Sequence, residues 1–124
     1  MMADQNNELV ALKTQLINQW HVDDEALERL DLSQETLVGV LAMRVLYLMQ
    51  EKMQTLITAL YRMDVGEHQF DIAMQEDTQP KAARKIAQAI YARELQRVQS
   101  RMRFEQNQLK TDGESDDQWP QVIS

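Results

Sequence analysis

The chain has 124 residues, a net charge of −7 and no cysteine. That length suits one domain with its own core. The missing cysteine excludes disulfides, thiolate nucleophiles and every Cys-ligated zinc or iron–sulfur centre. With only three Gly and two Pro among many Leu, Ala, Gln, Glu, Arg and Met residues, the composition predicts an all-α fold.

The first amphipathic segment runs from Asn6 to Trp20, where Leu9, Leu12, Leu16 and Trp20 share one face. Asp4 or Asn6 is its expected cap. Asp23 to Leu30 predicts one or two further turns, capped by Asp23 or Asp24, with Leu27 and Leu30 pointing inward. Ser33 is the expected N-cap of the longest helix, Gln34 to Met63. Leu37 to Met49 is apolar nearly all round, as in helices buried on most sides or in an oligomer interface. A short apolar run also suits a strand, but no turn and partner strand follow it. The second half is amphipathic through Met49, Met53, Leu56, Leu60 and Met63, with Ile57 and Tyr61 beside them. The eight Met residues concentrate in and around this helix, as adaptable core filler or as a contact surface.

Gly66 marks a break, and Asp64 with Glu67 resembles a capping box for a helix Val65 to Met74. Phe70, Ala73 and Met74 are its expected core residues. Pro80 suits the first turn of a final helix ending near Gln108, capped by Thr78 or Gln79. Ala83, Ala87, Tyr91, Leu95, Val98 and Met102 trace its apolar stripe, widened by Ile86 and Ile90. Residues 1–110 thus read as one helical domain, a bundle built on the long apolar helix packed against the basic last helix. Residues 111–124 read as a disordered acidic tail.

The middle of the chain carries an ordered set of residues. It comprises Leu60-Tyr61-Arg62-Met63-Asp64-Val65, then Glu67, Ile86-Ala87, Ile90, Arg93, Leu95-Gln96 and Ser100-Arg101. Over residues 42–105 this resembles a group of small bacterial helical proteins with an LYR-apolar-DV segment, a short linker helix and a basic final helix. The resemblance implies that order of elements and brings no activity, cofactor or catalytic residue.

Charge is distributed as acidic, basic, acidic. Residues 1–80 hold 5 basic and 14 acidic side chains, residues 81–110 hold 8 basic and 2 acidic, and residues 111–124 hold 4 acidic and none basic. Arg93, Arg97 and Arg101 recur every four residues and form one stripe, with Lys81, Arg84 and Lys85 at the start of that helix. The stripe is a candidate contact for nucleic-acid phosphates. It lacks interleaved aromatics for base stacking. The preferred reading is electrostatic: the stripe pairs with the acidic 1–80 region, within a chain or across a dimer.

His68 falls with Asp64 and Asp71 at i, i+4 and i+7 if all three lie on one helix, a possible divalent-cation face. The preferred reading is a helix start, with acids favoured by the dipole and a solvated histidine, and His21 near Asp24 and Glu25 reads the same way. No Gly-x-Ser-x-Gly turn, phosphate loop or Glu-x-x-His pair occurs, so no enzyme activity, metal or cofactor is expected. No signal peptide is expected, because Met1 to Glu8 is polar with no basic run before an apolar core, and no membrane span, because Leu37 to Met49 is short and contains Arg44. A cytoplasmic protein that associates with itself or with a protein partner is the leading expectation, and nucleic-acid association through the final helix is the alternative. In the tail, Trp119, Val122 and Ile123 form a candidate partner-binding motif.

Overall fold

The computed structural model describes the backbone of residues 2–114 and the side chains of residues 7–107. Among the described residues it has six helices and no strand: α1 Met2–Trp20, α2 Asp24–Arg29, α3 Gln34–Glu51, α4 Met53–Arg62, α5 Glu67–Met74 and α6 Gln79–Glu114. The all-α reading is correct. None of these helices is long and apolar enough to cross a membrane.

The frame is an antiparallel pair, α3 with α6. Gln50 near the end of α3 donates to Gln79 at the start of α6 (3.2 Å). α1 is also antiparallel to α6: Gln99 donates to Glu8 (3.4 Å), and Gln15 donates to Glu94 (3.1 Å). Leu12, Leu16, Trp20, Leu37, Leu41, Val45, Ile86, Ile90 and Val98 bury the shared interior.

Local signals set several boundaries as expected. The Ser33 hydroxyl accepts from the Thr36 N–H (3.1 Å), and Asp23 accepts from the Ala26 N–H (3.2 Å). Thr78 accepts from the Lys81 N–H (3.3 Å) at the start of α6. Each bond satisfies an amide at a helix start that lacks an intrahelical acceptor. Two expected ends move outward, because α1 begins at Met2 and α6 continues to Glu114.

The long helix expected over Gln34–Met63 is broken at Lys52, whose backbone (φ −147°, ψ 58°) leaves the helical region. No Gly or Pro announces this break. Its cause lies in the packing. Gln50 already stands at the start of α6, so a straight continuation would carry the next three turns past the end of the hairpin, into water. Turning at Lys52 instead buries Leu56, Leu60 and Met63. Burying each such side chain contributes about 1.5–3 kcal/mol, more than the about 1 kcal/mol for each helical hydrogen bond lost at the break.

The turn after α4 corrects another expectation. Asp64 does not cap α5. It follows the end of α4 in the left-handed region (φ 64°). The Val65 N–H donates to the Leu60 carbonyl (3.0 Å) and the Asp64 N–H to the Tyr61 carbonyl (3.1 Å). This is the Schellman pattern, and it accounts for the spacing of the LYR-apolar-DV segment: Leu60 and Val65 are the apolar pair that closes it. Gly66 precedes α5 in an extended conformation, with no side-chain cap. Leu30 and Met74, expected inside, are both exposed. α2 ends at Arg29, so Leu30 sits in extended backbone rather than on the inward face.

His21 is the other left-handed residue (φ 57°), just past α1, with its N–H bonded to the Ile17 carbonyl (3.1 Å). A side chain with a Cβ is disfavoured there by roughly 1–2 kcal/mol, and glycine is not. After allowing for glycine's greater freedom in the unfolded chain, His21→Gly is expected to stabilise the protein by about 0.5–1 kcal/mol. Urea unfolding measures this, and an unchanged or lower midpoint would contradict it.

Candidate functional site

The centre of α6 holds the one charged side chain in the described core. Glu94 is 1% exposed. Its Oε2 accepts from the Trp20 indole N–H (3.1 Å), and its Oε1 accepts from the Gln15 amide (3.1 Å), with Arg97 at 3.9 Å. Buried acceptors of this kind persist only when partnered. No buried side-chain nitrogen or oxygen among the described residues lacks a partner. Glu94 belongs to no motif, and its signal in the sequence is positional. Ile90, Glu94 and Val98 are spaced by four, so the carboxylate lies within the apolar stripe.

Two helix C-termini converge on this point. Arg44 Nε donates to the Trp20 carbonyl at the end of α1 (3.0 Å). Arg93 Nε donates to the Met63 carbonyl at the end of α4 (3.1 Å), and its other edge lies 4.0 Å from Asp64. Helix C-termini carry partial negative charge and leave carbonyls unbonded, so a guanidinium there answers both. Gln19, Trp20, Ala59, Arg62, Glu94 and Arg97 line a shallow cleft of about 160 Å³ at the junction. Both Glu94 oxygens are already engaged, so the arrangement acts as a polar clamp holding α1, α4 and α6 in register.

The expected arginine stripe therefore divides. Arg93 binds the end of α4, and Arg97 lies beside Glu94. Arg101 is exposed and makes no ion pair with a described residue. Lower on α6, Lys85 pairs with Glu76 (2.6 Å) and Lys81 with Asp77 (3.2 Å). These pairs match the internal reading of the basic helix at its start and middle, but not at its far end.

That far end has a second feature. Met102 is half-buried, and from Arg103 to Gln106 every side chain is exposed, although Arg103 and Gln106 share a shallow pocket with Glu8 of α1. Phe104, 65% exposed, stands there beside Arg101 and Arg103. An exposed aromatic thus follows the stripe that seemed to lack one.

On the same side of the molecule, α4 and α5 form an apolar groove of about 210 Å³, lined by Ile57, Leu60, Tyr61, Val65 and Phe70, with Glu67 and Asp71 at its edge. Tyr61 is 83% exposed. The apolar run of α3 is mostly consumed by packing within the chain. It leaves Met43 (68% exposed) and Tyr47, whose ring lies under the Arg44 guanidinium at 5.1 Å.

The histidines do not converge with acids. α5 begins at Glu67, so Asp64 is off the helix that carries His68 and Asp71. Among the described residues no three His, Asp or Glu side chains are grouped to hold a metal ion. Trp119, Val122 and Ile123 lie outside the described residues. Tyr91, buried on α6, has its phenol pushed above the usual value of 10, by burial first and then by the charge of Glu8.

The chain matches no protein-family model, no curated protein and no solved structure.

Proposed function

We propose that this protein is a non-enzymatic helical interaction module that associates with a second copy of itself. One observation carries the reading: Phe104 is left 65% exposed on the far part of α6, directly after Arg101 and Arg103. An exposed aromatic ring has a large apolar area to bury against a partner. The resemblance of residues 42–105 to small bacterial helical proteins is compatible with such a role and adds no chemistry to it.

Light scattering on the full chain over a wide concentration series tests the proposal. The expected result is a mass that rises from monomer to dimer. A monomer at every concentration would remove self-association.

A second reading is favoured by the same segment. Two arginines around an exposed aromatic are the elements of a single-strand nucleic-acid contact. It calls for binding that weakens steeply with salt and is lost in Arg101→Gln/Arg103→Gln.

A further inference from the structure

We propose that two copies pair about a two-fold axis, with Phe104 of each copy seated in the α4–α5 groove of the other and Arg101 and Arg103 against Glu67 and Asp71. This inference rests on the self-association reading and names the surfaces that carry it.

The groove fits the side chain. A cavity of about 150 Å³ lined by aliphatic and aromatic residues holds a benzene ring. The α4–α5 groove offers about 210 Å³ behind the Tyr61 ring. Its walls are Ile57, Leu60, Val65 and Phe70, and it lacks a basic lining residue.

The charges complement each other. The groove edge is acidic through Glu67 and Asp71, both exposed. The segment around Phe104 is basic through Arg101 and Arg103, also exposed. The same opposition runs through the chain, with 14 acidic against 5 basic side chains in residues 1–80 and 8 basic against 2 acidic in residues 81–110. Exposed pairs add little affinity but select register and partner.

The placement closes. Phe104 follows Arg93 by three helical turns, so both stand on one side of α6, about 16 Å apart along its axis. Arg93 binds Met63 and Asp64, the turn that leads into the groove residue Val65. Knob and groove therefore share one side of the molecule. α6 is continuous from Gln79 to Glu114, so Phe104 cannot fold back into the groove of its own chain. Laying two α6 helices antiparallel brings each knob over the other copy's groove at once. Such an isologous contact uses the same patch twice and closes at two subunits.

Two full-length variants test this: Glu67→Lys/Asp71→Lys, with a basic groove, and Arg101→Glu/Arg103→Glu, with an acidic knob. All four sites are exposed, and circular dichroism checks that both variants stay helical. Each alone should sediment as a monomer, because groove and knob then repel. Mixed, they should form a one-to-one heterodimer. The basic groove meets the acidic knob, and the two unaltered surfaces meet each other. Phe104→Ala should raise the dimer Kd by about thirtyfold, as for truncation of a central anchor.

If the unaltered protein dimerises and both charge variants dimerise equally well, the seat lies elsewhere, for example on Met43 and Tyr47, and self-association survives without this geometry. If the unaltered protein is monomeric throughout, both statements fall. Loss of salt-sensitive RNA binding in Arg101→Glu/Arg103→Glu, with no dimer in the unaltered protein, would assign the segment to nucleic acid instead.

Discussion

Glu94→Ala is expected to lower the unfolding free energy by about 2–3 kcal/mol, the range for leaving a buried neutral donor without its charged acceptor. The substitution leaves the buried Trp20 indole N–H without its acceptor, whereas the half-buried Gln15 amide can turn to water. Glu94→Gln retains one oxygen for Trp20 and most of the volume, so about 1–2 kcal/mol is expected. Thermal unfolding followed by circular dichroism reads the ordering. A double-mutant cycle with Trp20→Phe isolates the indole bond, for which about 1.5–3 kcal/mol of coupling is expected for a hydrogen bond to a charged group. Coupling near zero would mean that Glu94 is tolerated in the core, not used to hold α1 there.

Leu41→Ala is expected to cost about 3–5 kcal/mol, whereas Met43→Ala, two residues away, should stay within about 0.5 kcal/mol. Leu41 is fully buried in the α3–α6 interior, and Met43 is largely in water. The expected order tests where the apolar run of α3 is used. Fully packed Leu41 loses transfer energy and leaves a cavity, while Met43 loses neither. If both cost little at low concentration and Met43→Ala also abolished dimer formation, α3 would be the interface and the α4–α5 groove would not.

Both expectations concern one design problem. Three helices converge at the middle of α6, and two of them, α1 and α4, arrive by their C-termini. Each end brings unbonded carbonyls and partial negative charge. Arg44 and Arg93 each bond one of these carbonyls, and Arg97 stands by the buried carboxylate. The three arginines come from two helices, and their sequence spacing serves this junction. The stripe read along α6 is therefore two things in one periodicity: structural at Arg93 and Arg97, and open to a partner at Arg101.

Much of this protein could be read from local chemistry. The four-residue spacing of Leu12, Leu16 and Trp20, and of Ala83, Ala87 and Tyr91, determined which faces are buried, because a helix repeats every 3.6 residues wherever it packs. Ser33, Asp23 and Thr78 determined helix starts, because each side chain satisfies an amide only three residues away. Glu94 was equally legible from its place between Ile90 and Val98. The tertiary structure alone decided three matters. The break at Lys52 depends on where α6 begins, information 27 residues distant in the chain. Asp64 reads as a helix start in sequence, but it closes α4 in a left-handed turn because Leu60 and Val65 meet and Arg93 arrives from α6. The split of the arginine stripe follows from which helix ends lie beside each residue. Periodicity places a side chain on a face of its helix, and only packing determines what that face meets.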